Sequence, residues 1–159
     1  MAWRQSSSRT LFVRPPEPFT FFIDRCLGKY DVPAAVGGAL LAGESVLVHD
    51  DLFRQDTDDE EWLPQVGERG WVVLSKDPAM RRSPLVVEAL RAAGAAVFHL
   101  ANGQINGIQA GAALVAALPR IRKAVRRFDV TVVGSVDMNG AVNVMWAGGA
   151  RLARPVRLK

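Results

Sequence analysis

"FTFFIDRCLG", Phe19 to Gly28, is the stretch on which the fold turns. An aromatic and β-branched run ends in an acid, and Leu27, Val32, Val36 and Leu40 then recur at helical spacing, so the chain reads as strand followed by helix. The same alternation repeats downstream. "ESVLVHD" (44–50) reads as a second short strand, "DDEEWLPQVGERG" (58–70) as a helix with acids in its first turn and Gly70 after its end, and "WVVLSKD" (71–77) as a third strand. A helix from about Pro84 to Ala93 leads to a fourth strand, "AAVFHL" (95–100). Strands alternating with helices predict a three-layer α/β/α fold around a mainly parallel sheet.

The flanks read differently. Residues 1–18 mix Arg, Ser and Pro and predict a basic, flexible arm, with a short strand at "TLFV". Asn106 to Phe128 reads as one long helical segment, apolar first and basic later, which Pro119 should bend or divide. Two β-like runs, "VTVVGSVDM" and "AVNVMW", flank Asn139-Gly140, a dipeptide suited to a hairpin turn; the tail "ARLARPVRLK" reads as loose. The expected division is therefore an arm over 1–18, a domain over 19–128, and a hairpin extension with a basic tail over 129–159.

Charge is segregated. The chain carries 20 Lys and Arg against 16 Asp and Glu, and seven of those acids fall in "HDDLFRQDTDDEEW" (49–62), leaving a cationic body suited to polyanions such as nucleic acid. Cys26 is the lone cysteine, which excludes an internal disulfide, reads as a small buried hydrophobe and suits a reducing cytoplasm. No apolar run is long enough to span a membrane.

Ligands of open α/β sheets bind beyond the carboxyl ends of the strands, and here the first three strands run into acids: Asp24, then Asp50 and Asp51, then Asp77. Asp59 lies just beyond, in the first turn of a helix. Gathered carboxylates repel unless a positive charge stands between them, and a hard divalent cation, Mg²⁺ or Mn²⁺, meets that need with carboxylate and water oxygens. Such an ion also lowers the pKa of water and so supplies a nucleophile for phosphodiester hydrolysis. A phosphoacceptor receiver domain would place its acid pair after strand one, and a haloacid-dehalogenase-type phosphatase needs Asp-x-Asp there; "IDRCLG" offers neither.

"FFIDRCLG", "HDDLFRQDTDDEEWL" and "RGWVVLSKD" together resemble the PIN-like nuclease domains related to VapC-type toxins, over roughly Phe21 to Arg127. In that family a first-strand Asp, the Asp of an Asp-x-x-Trp-Leu segment and the Asp of Thr-Lys-Asp form the metal site. The resemblance implies a Mg²⁺- or Mn²⁺-dependent endoribonuclease, often the toxin of a toxin–antitoxin pair, with RNA and a cognate antitoxin as partners; a homodimer is also compatible with it. Residue by residue, it implies Asp24, Asp59 and Asp77 as metal ligands, with Ser75 where Thr is usual. Asp51 or Asp56 is the expected auxiliary ligand, because "KDPAMRRSPLVVEAL", the stretch after strand three, offers only Glu88, a full helix away. Lys76, Arg81, Arg82 and Arg25, with Lys29 beside it, are candidates to orient RNA phosphates. A module without activity, binding RNA or protein, is the alternative. His49 and His99 read as packing or hydrogen-bonding histidines, and Trp62 and Trp71 as core aromatics.

Overall fold

The computed structural model describes residues 15–77, 82–128, 131–148 and 150–159. Its seven strands form one sheet: β1 (Thr20–Ile23), β2 (Ser45–Val48), β3 (Val72–Ser75), β4 (Ala96–Leu100), β5 (Val132–Val136), β6 (Val142–Ala147) and β7 (Ala150–Leu158), in the order β2-β1-β3-β4-β5-β6-β7. The first five run parallel; β6 and β7 are antiparallel additions at one edge. The helices are α1 (Asp31–Gly37), α2 (His49–Leu52), α3 (Asp59–Glu68), α4 (Pro84–Ala93) and α5 (Gly107–Arg127).

Two cores make the three layers. Alternation along each strand sends Phe21, Ile23 and Leu74 to one face, where they meet Val32 and Val36 of α1 and the apolar stripe of α5. Phe22, Val73 and Val97 go to the other, against Trp62, Leu63 and Val66 of α3 and Val86 and Leu90 of α4. Gly111 lets α1 and α5 approach closely, since a Cβ there would lie 2.9 Å from that of Ala35. Strands buried on both faces are uniformly apolar, which is why the α/β/α class was legible from the chain.

Four expectations need correction. The strand read over 44–50 stops at Val48, and Asp50 and Asp51 lie in α2 rather than at a strand end, because His49 turns inward and begins a helical turn. The first helix is shorter than Leu27 to Leu40: a 3₁₀ turn (Arg25–Leu27) and α1 share that span. Pro119 does not divide its helix; α5 continues through it with the proline side exposed, where its missing N–H costs least. The tail is not loose: it is β7, whose Leu152, Val156 and Leu158 pack on the core while arginines face water on an edge strand.

The Asn139-Gly140 turn forms as expected, with Gly140 at φ +82° and the Asp137 carboxylate accepting from the N–H groups of Asn139 and Ala141. Of the supposed flexible arm, residues 1–14, including "TLFV", lie outside the described residues. Pro15 is buried and Glu17 pairs with Arg126 at 2.9 Å, so the described end of the arm is docked.

The strongest tie between α5 and the amino end of β2 is Arg122 with Glu44, at 2.8 and 3.0 Å, with side chains 7% and 4% exposed. Burial pushes the Glu44 carboxyl up, but the Arg122 hydrogen bonds, the Leu41 N–H and the Arg122 charge outweigh it, and its pKa falls below the ordinary glutamate value. A depressed folded pKa means stabilisation that is complete above the unfolded glutamate pKa and is lost as pH falls through the folded one. Urea denaturation should therefore show Glu44→Ala less stable by about 3–5 kcal/mol at pH 7, as expected when a buried guanidinium loses its partner, with the deficit shrinking as pH falls below about 4.3.

Candidate active site

Parallel register builds the site. Ile23 of β1 lies opposite Leu74 of β3, so the next residues of the two strands meet at the carboxyl edge, and the Ser75 hydroxyl donates to Asp24 Oδ2 at 2.8 Å. Asp24 is 2% exposed; its other oxygen accepts the Arg25 N–H at 2.7 Å and so caps the 3₁₀ turn. The same Ser75 oxygen accepts the Asp77 N–H at 3.0 Å, which fixes the backbone that carries the second acid. Asp59, the first residue of α3, turns inward beneath its own helix because Trp62, one turn on, is wholly buried and donates Nε1–H to Asp59 Oδ1 at 3.0 Å. Asp58, Glu60 and Glu61 stay exposed at the positive end of that helix, as the sequence predicts.

These carboxylates share one field. Burial raises the Asp24 pKa, against the opposing hydrogen bonds of Ser75 and the Arg25 backbone. Burial likewise raises that of Asp59, helped by the negative charges of Asp24 and Asp77 and opposed by Arg25 and Trp62. Three acids from three elements thus act on a common region.

Arg25 is the cation already there. Its guanidinium donates to the Thr57 carbonyl at 2.6 Å, meets His49 Nε2 at 3.3 Å and pairs with Asp59 Oδ1 at 3.3 Å. An arginine has no acceptor, so His49 Nε2 must carry the lone pair; its Nδ1–H is then free to donate to Asp50 Oδ1 at 3.1 Å. The histidine is therefore a neutral tautomer, packed among Phe22, Phe53 and Trp62, and it steers the arginine toward Asp59. The sequence foresaw a hydrogen-bonding histidine but not this link, because 24 residues separate the partners and no spacing marks it.

Lys76, Asp77 and Arg82 line a cleft of about 460 Å³ with Cys26, His99 and Gln104, so the loop after β4 is a wall that sequence reasoning missed. Arg81 lies outside the described residues. Arg25 points to protein partners rather than to open solvent, while Lys29 is exposed. Asp51 is exposed on α2 and joins none of these hydrogen bonds; Asp56 is exposed and paired with Arg54, and Glu88 with Arg91. Cys26 is only half-buried, and its thiol, within 3.5 Å of Asp24 Oδ2 and 3.4 Å of Ser75 Oγ, is pushed up to about 12 by burial and the Asp24 charge. It is a weak donor in the site, and at neutral pH it is not a nucleophile.

A family model described as a PIN like domain matches residues 19–102, more than half of the chain and every residue of the carboxylate site. The chain belongs to the PIN-like domain family. Within curated proteins it is 28% identical, over 106 residues covering 66% of this chain and 77% of the other, to a Mycobacterium tuberculosis protein named "Putative ribonuclease VapC45". No solved structure gives a significant match. The mostly parallel sheet between helical layers agrees with a PIN-like fold, and β6 and β7 extend that sheet beyond the matched residues.

A PIN-like domain is expected to hold a divalent ion, and the donor set can be judged on its chemistry. All three candidate donors are carboxylates, one of them oriented by the Ser75 hydroxyl, which suits a hard cation that keeps several waters. Yet among the described residues no three His, Cys, Asp or Glu side chains are grouped closely enough to hold a metal ion. Arg25 accounts for part of this: it occupies Asp59 Oδ1 with positive charge, while Ser75 and the Arg25 N–H engage Asp24. The donor chemistry fits the ion. Ser75 supports both Asp24 and the Asp77 backbone, so Ser75→Ala should lower the unfolding free energy by about 1–3 kcal/mol in urea denaturation, the cost of leaving buried polar groups unpaired. Ser75→Thr, which keeps the hydroxyl, should recover most of that loss.

Proposed function

We propose that this PIN-like protein is a Mg²⁺- or Mn²⁺-dependent endoribonuclease that hydrolyses RNA phosphodiester bonds, acting in the cytoplasm as the toxin of a toxin–antitoxin pair. The observation that supports the reading is the buried Asp59 carboxylate at the start of α3, whose pKa is raised first by burial and then by the nearby negative charges of Asp24 and Asp77. The relative's name, a ribonuclease of the VapC series, supports the substrate class and a cognate antitoxin as partner. Among the described residues no helix is long and apolar enough to cross a membrane.

In this reading residues 19–128 carry the chemistry and residues 129–159 extend the sheet. When bound, the ion supplies Lewis-acid charge and makes water acidic enough to serve as a nucleophile. The chain's own residues do the remainder. Asp24, Asp59 and Asp77 hold the ion; Ser75 keeps the Asp24 carboxylate oriented; His49, through Arg25, keeps Asp59 in place. Lys76 and Arg82, on the cleft beside Asp77, receive backbone phosphates as point charge and guanidinium fork.

One observation favours the second reading, a PIN-like module without activity: among the described residues no three acids are grouped closely enough to hold an ion, and Arg25 already pairs with Asp59. The two readings part in a cleavage assay. Wild-type protein should cut RNA in Mn²⁺ or Mg²⁺ and stop in excess chelator, and Asp77→Asn should be slower by about a hundredfold or more, comparable to removing one preorganised electrostatic group at a reacting centre. Equal rates for the two proteins would remove Asp77 from the site. A wild type that cuts no RNA would favour the module.

A further inference from the structure

Four of the five basic residues of α5 divide into two sets with different fates. Arg122 and Arg126 are neutralised within the fold, by Glu44 and Glu17. Lys123 and Arg127, each one residue on and so rotated about 100° around the helix, turn instead toward the end of β7. There they line a cleft of about 390 Å³ with Arg157, Leu158 and Lys159. Among the described residues no carboxylate side chain pairs with any of the four cations: the Lys123 ammonium donates to the Lys159 carbonyl at 2.8 Å, and the Arg127 guanidinium lies over the Phe128 ring. From Val142 to Lys159 the chain contains no acidic residue at all. Four positive side chains stand around a concavity with Leu158 buried as its floor, and although the Lys159 oxygen engages Lys123, together they focus a positive potential there.

The register ties this cleft to the carboxylate site. Ser75 pairs with His99, His99 with Ser135, Ser135 with Asn143, and Asn143 with Arg157, one continuous row across the sheet. The row runs from the residue that holds Asp24 to the rim of the basic cleft, over four strand spacings, roughly 19 Å. The row therefore places Arg157, at the rim of the cleft, on the carboxyl edge that carries the acids, while Lys123 and Arg127 reach the cleft from the last turns of α5.

We propose that the cleft between the last turns of α5 and the end of β7 is a second phosphate-binding site, which grips the RNA backbone at a distance from the carboxylates. This rests on RNA being the substrate, and it adds that the substrate extends beyond the cleaved bond toward the end of β7 and the last turns of α5. The ligand is the phosphodiester backbone, which suits an ammonium and guanidinium forks and carries no base information. The site would add affinity and register and would take no part in bond breaking.

Binding without cleavage tests it. A fluorescein-labelled RNA hairpin is titrated with the full chain in excess EDTA, by fluorescence anisotropy, at a series of KCl concentrations. Lys123→Gln/Arg127→Gln should bind about tenfold more weakly, and the slope of log Kobs against log[KCl] should become shallower by about two, one for each phosphate no longer neutralised. The charge-matched variant Arg120→Gln/Arg126→Gln, on the same helix but away from the cleft, should keep most of the affinity. Thermal unfolding of each variant checks that the fold is retained. Equal weakening in both double variants would reduce the effect to net charge and overturn the assignment. So would unchanged RNA binding in Lys123→Gln/Arg127→Gln accompanied by lost binding of labelled poly-glutamate, which would give the cleft to an acidic protein. Because no step requires cleavage, an inactive protein that shows the expected slopes would sink the nuclease reading and leave the cleft standing.

Discussion

The hydrogen bond from Ser75 to Asp24 is the interaction on which the candidate site depends. It exists because β1 and β3 are neighbours in parallel register, so the residues that leave the two strands arrive side by side. Sequence distance is irrelevant to it: 51 residues separate the two, yet the order of strands makes them adjacent. The same hydroxyl then accepts from the Asp77 backbone, so one small side chain sets the positions of two acids. Moving β3 one place in the sheet would scatter the site and leave each core nearly as apolar as before.

Buried carboxylates require compensation, and the protein arranges it in layers. Asp24 is met by a hydroxyl and a backbone N–H, Asp59 by an indole N–H and a guanidinium. Their pKa values nevertheless rise, so the hydrogen bonds do not offset burial at either acid, nor the added repulsion that Asp59 feels from Asp24 and Asp77. A divalent ion would relieve that cost of holding buried carboxylates ionised. Arg25 relieves some of it already, which sets this site apart from a bare cluster of acids. Its hold comes from a histidine whose tautomer is fixed on both sides, by the arginine at Nε2 and Asp50 at Nδ1.

Much of this was legible in the chain, for physical reasons that differ by element. The parallel strands announced themselves because burial on both faces leaves them mostly apolar residues, and Asp24 and Asp77 stood out as acids at the ends of such runs, with Asp59 in the first turn of a helix. The position of Asp59 within a helix start was read correctly, as was the water-facing role of Asp58, Glu60 and Glu61. β7 was not recognised: an edge strand with one face in water alternates leucine or valine with arginine, and an irregular register between Val144 and Trp146 breaks even that period. The helical turn of α2 and the wiring of His49 to Arg25 were also hidden, since both are products of packing against Phe22 and Trp62. Pro119 misled because its exposed position on α5 makes a missing N–H tolerable, which the sequence alone does not reveal.

The central claim is that Asp24, Asp59 and Asp77 form one divalent-cation site. The most direct measurement is Mn²⁺ binding to the full-length protein by electron paramagnetic resonance, in which bound ion is lost from the free six-line signal. Wild-type protein should bind Mn²⁺ saturably and Mg²⁺ should displace it, while Asp24→Asn and Asp59→Asn, confirmed as folded, should each bind much more weakly. Saturable binding that survives both substitutions unchanged, or no binding by the wild type, would contradict the claim.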